Sequence, residues 1–416
     1  MTGVHDADPR AKFGGPGASC RLTAFSKYCW SVLDHVSNGT NYFTKQRGTR
    51  IDYVSVHKKG GDRGHPGNST LLYDDELQTF RAIQSRYKRQ SNTAFYNDEG
   101  DPVKGWDYPM LFYTGVAYPA MIMRLIHMHL YSADPEFQNY RMLSNDNAFV
   151  STAPHYFTQR TLLAALALDD STGSNAILVR KPVYELMAML SQVRGNLLTV
   201  SKASHNIDTT SDCLVSSTGL QLTVCCWASN DTNNYMGGPI NYKLLLPSHL
   251  IGGYYVLRRL SQTSTYDIWK SMGSPPNLTR RNVELLWNKT MIIVSSPQAV
   301  TAEIKMAVSG PGVTQLIACK KRENLTRPHT LRFHSIADGL VVISWLHNQI
   351  SDCFLSYDLQ IRRFSTDAFA TINEGVILSR TYQYTSEYGV TGDYRVRCKN
   401  IMGQASDYSP IATYKY

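Results

Sequence analysis

The densest group of reactive side chains is Tyr96-Asn97-Asp98-Glu99-Gly100-Asp101-Pro102, with three carboxylates within four positions just before a proline. Two readings are open. The run is a solvated acidic turn, or one carboxylate faces a cleft as a nucleophile or base. Retaining glycoside hydrolysis requires two carboxyl groups about 5–5.5 Å apart, one attacking the anomeric carbon and one protonating the leaving oxygen. Glu99 is the candidate for the first role.

Four other residues are grouped with this segment: His57, Lys59, Asp146 and Arg160. Taken singly each has a plain structural reading, His57 as a satisfied hydrogen-bonding residue, Lys59 as a loop charge and Arg160 as a helix-start residue. Taken together, two fixed cations beside a carboxylate-rich segment point to recognition of an anionic substrate. They also favour the ionised form of Glu99, as a nucleophile requires.

The elements that must position these residues follow a repeated strand–loop–helix grammar up to about residue 193. Arg10-Ala-Lys-Phe is read as a strand entering the Gly-rich turn at Gly14-Gly15, and Ile51 to His57 as a second, β-branched strand. A helix over Asp74–Arg89 puts Leu77, Phe80, Ile83 and Tyr87 on one face. Thr93 to Asp98 is a third strand, Ala117–Tyr131 an apolar helix whose methionines are core packing, and Met142 to Asp146 a fourth strand. A helix opening at Lys181-Pro182 closes the section with proline in its first turn. Polar residues gather where each strand ends, the position that forms the active site in a (β/α)8 barrel. Four such units make half a barrel. From Gly195 to Thr326 the helical period gives way to alternating runs (Leu220–Val224, Tyr254–Leu257, Ala302–Met306), the pattern of an antiparallel β-sandwich. The last segment places Leu340–Trp345, Tyr357–Arg362 and Tyr394–Arg397 as the B, C and F strands of a fibronectin type III-like sandwich. The expected organisation is a partial barrel over 1–193, a β-sandwich over 194–326 and the fibronectin-like module over 327–416.

With 43% hydrophobic and 18% charged residues, the chain has a globular composition. A net charge of +9 favours acidic partners, among them polyanionic sugars, anionic lipid and nucleic acid, without choosing among them. No apolar run reaches the roughly 18 residues of a membrane span, and the polar start of the chain lacks the apolar stretch of a secretory signal. Against this stand six glycosylation sequons, at Asn38, Asn68, Asn230, Asn277, Asn288 and Asn324. A missing N-terminal portion resolves that conflict. The eight cysteines show no metal-ligand spacing. Cys225 and Cys226, adjacent in an apolar run, are read as small buried side chains.

Several stretches resemble the α-L-iduronidases of glycoside hydrolase family 39. They are Arg50-Ile-Asp-Tyr-Val-Ser-Val-His-Lys-Lys-Gly60, Phe95-Tyr-Asn-Asp-Glu-Gly-Asp-Pro102 with Gly105-Trp106, Leu143 to Phe149 running on to Gln159-Arg160, Arg180-Lys-Pro182, and Gly392-Asp-Tyr-Arg-Val-Arg397. The resemblance extends over essentially the whole chain in order and spacing. It implies that Glu99 is the nucleophile and that His57, Lys59, Asp146 and Arg160 bind the terminal sugar. Lys59, Arg160 and the Gly105 N–H are implied to hold the iduronate carboxylate, and Trp106 to wall the pocket. A disulfide between Cys319 and Cys353 is implied as well; Cys20, Cys29, Cys213, Cys398 and the adjacent pair are left unassigned. The implied partner is a glycosaminoglycan, dermatan or heparan sulfate, in the lysosome, with no cofactor, no metal and no nucleic acid.

Two departures from the family pattern bear on activity. The family's general acid lies in an Asn-Glu-Pro motif, which occurs nowhere in these residues. Its absence predicts an inactive chain, since general acid catalysis contributes about 10²–10⁴-fold. The family's sequon after the last barrel strand is here Asp169-Asp170-Ser171. A non-catalytic glycosaminoglycan-binding protein is the competing reading. A β-xylosidase is a third, disfavoured because a neutral xyloside offers Lys59 and Arg160 no carboxylate.

Overall fold

The computed structural model describes residues 7–416 apart from 23–26, 146, 170–175, 200–209, 233–236, 290–291, 321–324, 349–351, 374 and 387. Asp146 and Asn324 therefore lie outside the described residues. The chain divides into two compact units, one of residues 1–108, 121–147 and 231–233, the other of the remainder.

The first unit is built on parallel strands. β1 (Gly14–Ala18) pairs with β2 (Tyr53–Val56), and β2 and β3 (Lys59–Gly61) both pair with β4 (Ala94–Val103). β5 (Tyr140–Asn145) pairs with the other side of β4, all in parallel register. Connections that return the chain for a parallel pairing are helical, here α1 (Lys27–Asn38), α2 (Ser69–Arg86) and α3 (Ala117–Leu130). Leu33 of α1 and Leu77, Phe80 and Ile83 of α2 meet Val54, Val56 and Phe95 of the sheet in one buried cluster.

Two expectations shift here. The first strand is the Gly-rich segment itself and not the residues before it: a Cβ on Gly14 would fall within 1.9 Å of the Tyr53 ring, so glycine lets the two strands close. The second helix begins at Ser69 rather than Asp74, because Asn68 caps it by accepting from the Leu71 N–H at 2.7 Å. Its start is further held by Asp231, which accepts from the Ser69 N–H and hydroxyl and pairs with Arg124 at 2.9 Å.

In the second unit, β6 (Ala148–Val150), β7 (Thr161–Leu168), β8 (Ala176–Arg180) and α4 (Pro182–Leu190) come first, with proline in the first turn of α4 as expected. β9 (Asn196–Leu197), β10 (Ser211–Ser217) and β11 (Gln221–Ala228) join a larger antiparallel sheet. β12 (Ile240–Leu245) pairs instead with β17 (Glu303–Val308). β13 (Tyr254–Arg259), short β15 (Ile293–Val294) and β16 (Gln298–Ala299), and β18 (Gly312–Cys319) complete the larger sheet, while β14 (Asn277–Leu278) pairs with β7. Leu222, Val224 and Leu316 of that sheet pack against Ile304, Met306 and Val308 of β17 in the sandwich core. Two helices interrupt this region where none was expected, α5 (Thr265–Ser271) and α6 (Arg280–Lys289). α5 opens with a reciprocal capping box between Ser264 and Asp267.

The last seven strands are β19 (His329–Ala337), β20 (Leu340–Leu346), β21 (Phe354–Arg362), β22 (Ala370–Thr371), β23 (Thr381–Thr385), β24 (Gly392–Asn400) and β25 (Ala412–Tyr414). They form sheets in the orders β19-β20-β23 and β22-β21-β24-β25, the A-B-E and C′-C-F-G arrangement of a fibronectin type III module. Trp345 stacks edge-on to Tyr357 at 5.1 Å, and the Tyr394 hydroxyl donates back to the Val390 carbonyl as a tyrosine corner.

Disulfides join Cys319 to Cys353, as the family resemblance implied, and also Cys20 to Cys29 and Cys213 to Cys226. Cys226 is thus not simply a small packed side chain. It sits directly opposite Cys213 in the β10–β11 register, whereas Cys225 faces the other way and remains a buried thiol.

Candidate active site

β4 carries the acidic segment, and its course there is irregular. Against β5 the register runs from Asn97↔Leu143 to Gly100↔Asn145, and against β2 and β3 from Val56↔Asn97 to Lys59↔Asp101. On both sides β4 spends one residue more than its neighbour, a bulge at Asp98–Glu99 that breaks the alternation of side chains and re-aims the carboxylates. Glu99 therefore lies within the strand and not beyond its end.

The bulge brings Glu99 to Lys59 of β3 and to His57 just before it. Lys59 Nζ is 2.6 Å from Glu99 Oε2. His57 bridges the two acids, with Nδ1 3.3 Å from Glu99 Oε2 and Nε2 3.3 Å from Asp98 Oδ1. The Glu99 side chain is 40% exposed and so open to a ligand, while Lys59 is 19% exposed. Gly60 permits this closeness: a Cβ there would come within 2.0 Å of the Asn68 carbonyl and 2.5 Å of that of Pro102. A cleft of about 400 Å³ opens beside the pair, lined among others by Arg21, His57, Lys58, Lys59, Asp75 and Lys104.

Beneath the site lies a buried polar network that sequence reasoning missed. The side-chain Oδ1 of Asn97 accepts from the backbone N–H groups of Lys58 at 3.2 Å and Glu99 at 3.3 Å. Its side-chain Nδ2 donates to the Lys58 carbonyl at 3.1 Å and to Glu76, fully buried on α2. Glu76 also pairs with His129 of α3 and accepts from the Tyr140 hydroxyl at 3.3 Å. Burial works to lower the His129 pKa, but the Glu76 carboxylate outweighs it and the pKa is raised. Burial, reinforced by Glu76, pushes the Tyr140 hydroxyl well up. Lys58, buried and held by Asp75 at 3.0 Å, has its pKa lowered by burial, with Asp75 opposing. One signal for the network was available: Glu76 falls four residues before Phe80 and seven before Ile83, on the apolar stripe of its helix.

The remaining expected residues are placed as follows. Asn145, at the end of β5, donates to Asp101 at 3.0 Å, and Asp101 also accepts from the Val103 N–H. Gly105 takes a left-handed conformation (φ 79°) after β4, and Trp106 beside it is 41% exposed. Arg160 is fully buried in the second unit, immediately before β7, where its carbonyl accepts from the Ala148 N–H. Of the sequons, Asn38, Asn68 and Asn277 are exposed and Asn230 and Asn288 half-buried. No group of His, Cys, Asp and Glu able to hold a metal occurs among the described residues, and no described helix is long and apolar enough to cross a membrane.

A family model for glycosyl hydrolases family 39 matches residues 1–311. The chain belongs to that family. It is 30% identical over 442 residues to the α-L-iduronidase of Canis lupus familiaris and 28% identical over 439 residues to that of Homo sapiens, in each case covering 99% of this chain and 66% of the relative. The chain thus spans just under two thirds of the length of these curated relatives. Among solved structures, a bacterial orthologue of human α-L-iduronidase superposes with a TM-score of 0.85 at 20% identity, covering 99% of this chain and 72% of that one. The family 39 β-xylosidase of Caulobacter crescentus reaches a TM-score of 0.51 at 13% identity, over 77% of this chain and 60% of that one. These likenesses agree in fold with a multidomain glycosidase.

Proposed function

We propose that this family 39 chain carries the nucleophile half of a retaining exo-hydrolase of terminal α-L-iduronosides in dermatan and heparan sulfate, acting in the lysosome. The parallel strands of residues 1–193 are the C-terminal half of a (β/α)8 barrel, followed by a β-sandwich over 194–326 and the fibronectin-like module over 327–416. The observation that carries the reading is the Glu99 carboxylate, set out by a bulge and contacted by Lys59 and His57. Glu99 attacks the anomeric carbon. The family resemblance implies the remaining roles: Lys59, Arg160 and the Gly105 N–H for the iduronate carboxylate, Asp146 for sugar hydroxyls, His57 for the terminal sugar and Trp106 for the pocket wall. The relatives' names support this substrate, and Lys59 favours it over a neutral xyloside.

The general acid is not supplied by these 416 residues, which contain no Asn-Glu-Pro. Turnover of an ordinary aryl iduronide by this chain is therefore expected to fall about 10²–10⁴-fold short of an enzyme that has one. A fluoride leaving group needs no proton, so a deactivated fluoro-iduronosyl fluoride separates the two half-reactions. The C1–F bond breaks, a bond forms between C1 and the Glu99 carboxylate oxygen, and fluoride departs. Mass spectrometry is expected to find one glycosyl group on the peptide containing Glu99 and none in Glu99→Gln. Labelling of Asp98 or Asp101 instead, or labelling undiminished in the Gln variant, refutes the assignment.

A further inference from the structure

On the outer face of the fibronectin-like module, strand alternation collects cations. Tyr394, Val396 and Cys398 of β24 point into the core, which turns Asp393, Arg395, Arg397 and Lys399 to the opposite face. Across the ladder these residues meet Arg362, Gln360, Asp358 and Ser356 of β21. Four cations face two carboxylates. Asp393 takes Arg362 at 2.7 Å, while Asp358 is shared between Arg397 at 3.2 Å and Lys399 at 2.6 Å. Two positive charges are left in excess, on a chain whose net charge is +9.

The guanidinium groups are held rigidly. Arg362 and Arg395 lie over the Phe369 ring at 4.8 and 3.9 Å, and Arg395 and Arg397 over the Tyr408 ring at 3.8 and 4.6 Å. Arginines and aromatic rings thus alternate in one ladder: Arg362, Phe369, Arg395, Tyr408, Arg397. Arg395 and Arg397 each direct Nε sideways, to Gln360 at 2.9 Å and to Asp358. Their terminal Nη groups have no hydrogen-bond acceptor among the described residues. Stacking fixes the plane of each guanidinium, so little side-chain entropy remains to be lost when those donors engage an anion.

We propose that this face is a docking site for a sulfated glycosaminoglycan, separate from the Glu99 cleft. Cations two residues apart on a strand recur about every 6.6–6.8 Å, a linear array suited to a polyanion rather than a single small ion. Guanidinium N–H pairs match sulfate oxygens bidentately. Both rings are engaged by guanidinium groups and do not offer stacking faces to bases, which disfavours single-stranded nucleic acid. The choice of glycosaminoglycan among polyanions rests on the function proposed above.

The test is salt-gradient elution of the full chain from immobilised heparin, with N-desulfated heparin as control. Substituting Arg395, Arg397 and Lys399 together by Gln is expected to weaken heparin binding about tenfold or more and to flatten its salt dependence. A triple variant that melts like the parent and elutes with it overturns the proposal and leaves the ladder a purely structural device. Should that variant misfold, the parent chain decides: heparin oligosaccharide is expected to protect Lys399 from acetylation, and unchanged acetylation overturns docking here. Failure of the fluoride labelling at Glu99 defeats the catalytic reading alone and leaves this retention untouched.

Discussion

Lys59 Nζ and Glu99 Oε2 are 2.6 Å apart, so the cation offered to an anionic sugar already rests on the proposed nucleophile. In the proposed function an incoming iduronate carboxylate shares Lys59 with Glu99, and the lysine then ties the substrate to the attacking oxygen. Lys59→Met is expected to cost about 10–100-fold in affinity for an α-L-iduronide relative to its carboxyl-reduced analogue, from the roughly 1.5–3 kcal/mol of a charge-assisted hydrogen bond. Titration calorimetry with both ligands checks it. Equal losses for the two would show that Lys59 does not read the carboxylate.

The buried Glu76–His129 pair gives the first unit a pH dependence whose sign is set by the raised His129 pKa. Above the ordinary histidine value of 6.5, the folded state keeps a proton that the unfolded state has lost. The stabilisation is therefore complete below that value and is lost as pH rises through the folded pKa. His129→Gln is expected to remove this decline and, by stranding a buried carboxylate, to cost about 3–5 kcal/mol. Urea unfolding of both proteins at pH 5.5 and pH 8 tests it; the same decline in both would clear His129 of the effect.

What could be read in the sequence, and what could not, divides along physical lines. Hydrophobic periodicity and polar strand ends are local, and they located β2, β4 and β5, though not β3, and brought His57, Lys59 and Glu99 into one neighbourhood. The bulge at Asp98–Glu99 was hidden, because it is a register difference between strands and leaves no mark in the strand that carries it. Cys213–Cys226 was hidden for the same reason, since only the hairpin register places the two cysteines opposite one another. β1 was displaced because Gly14-Gly15-Pro16-Gly17 has turn composition, and only the Tyr53 ring explains why glycine is needed in a strand there. α5 was hidden in a region read for alternation, though its Ser264-x-x-Asp267 cap was in plain view.

The Cys319–Cys353 bridge fastens the end of β18 to the chain just before β21, at a seam where other bonds converge. The Cys353 N–H donates to Gln221 at 2.6 Å, and the fully buried Arg258 donates to the carbonyls of Phe354 and Leu355 at 2.8 and 3.2 Å. With burial lowering the Arg258 pKa to about 9, its bonds to those carbonyls depend on the seam staying closed. Cys353→Ala is expected to destabilise the second unit by about 2–4 kcal/mol. Hydrogen exchange is expected to rise first at the amide of position 353, which donates to Gln221, and at the Ile401 amide, which donates to the carbonyl of position 353; faster exchange confined to residues distant from the seam would contradict this.

Lys181, fully enclosed before α4, supplies a pH dependence of the opposite sign in the second unit. Its ammonium donates to the Gln159 carbonyl at 2.5 Å and to the Thr161 hydroxyl at 3.4 Å, and burial lowers its pKa from 10.5 to about 7. Between those two values the unfolded chain binds a proton that the folded chain does not, so stability rises with pH across that window. The burial penalty is complete below about pH 7 and vanishes above about 10.5. Its full size is roughly 5 kcal/mol. Lys181→Met keeps the apolar stem and removes the titrating amine, at the cost of about 1–3 kcal/mol for the abandoned Gln159 carbonyl. The expected variant is more stable than the parent at pH 6 and less stable at pH 10, with the crossing between. Denaturant unfolding at those two pH values decides it, and a constant difference between variant and parent would mean that Lys181 does not titrate in this range.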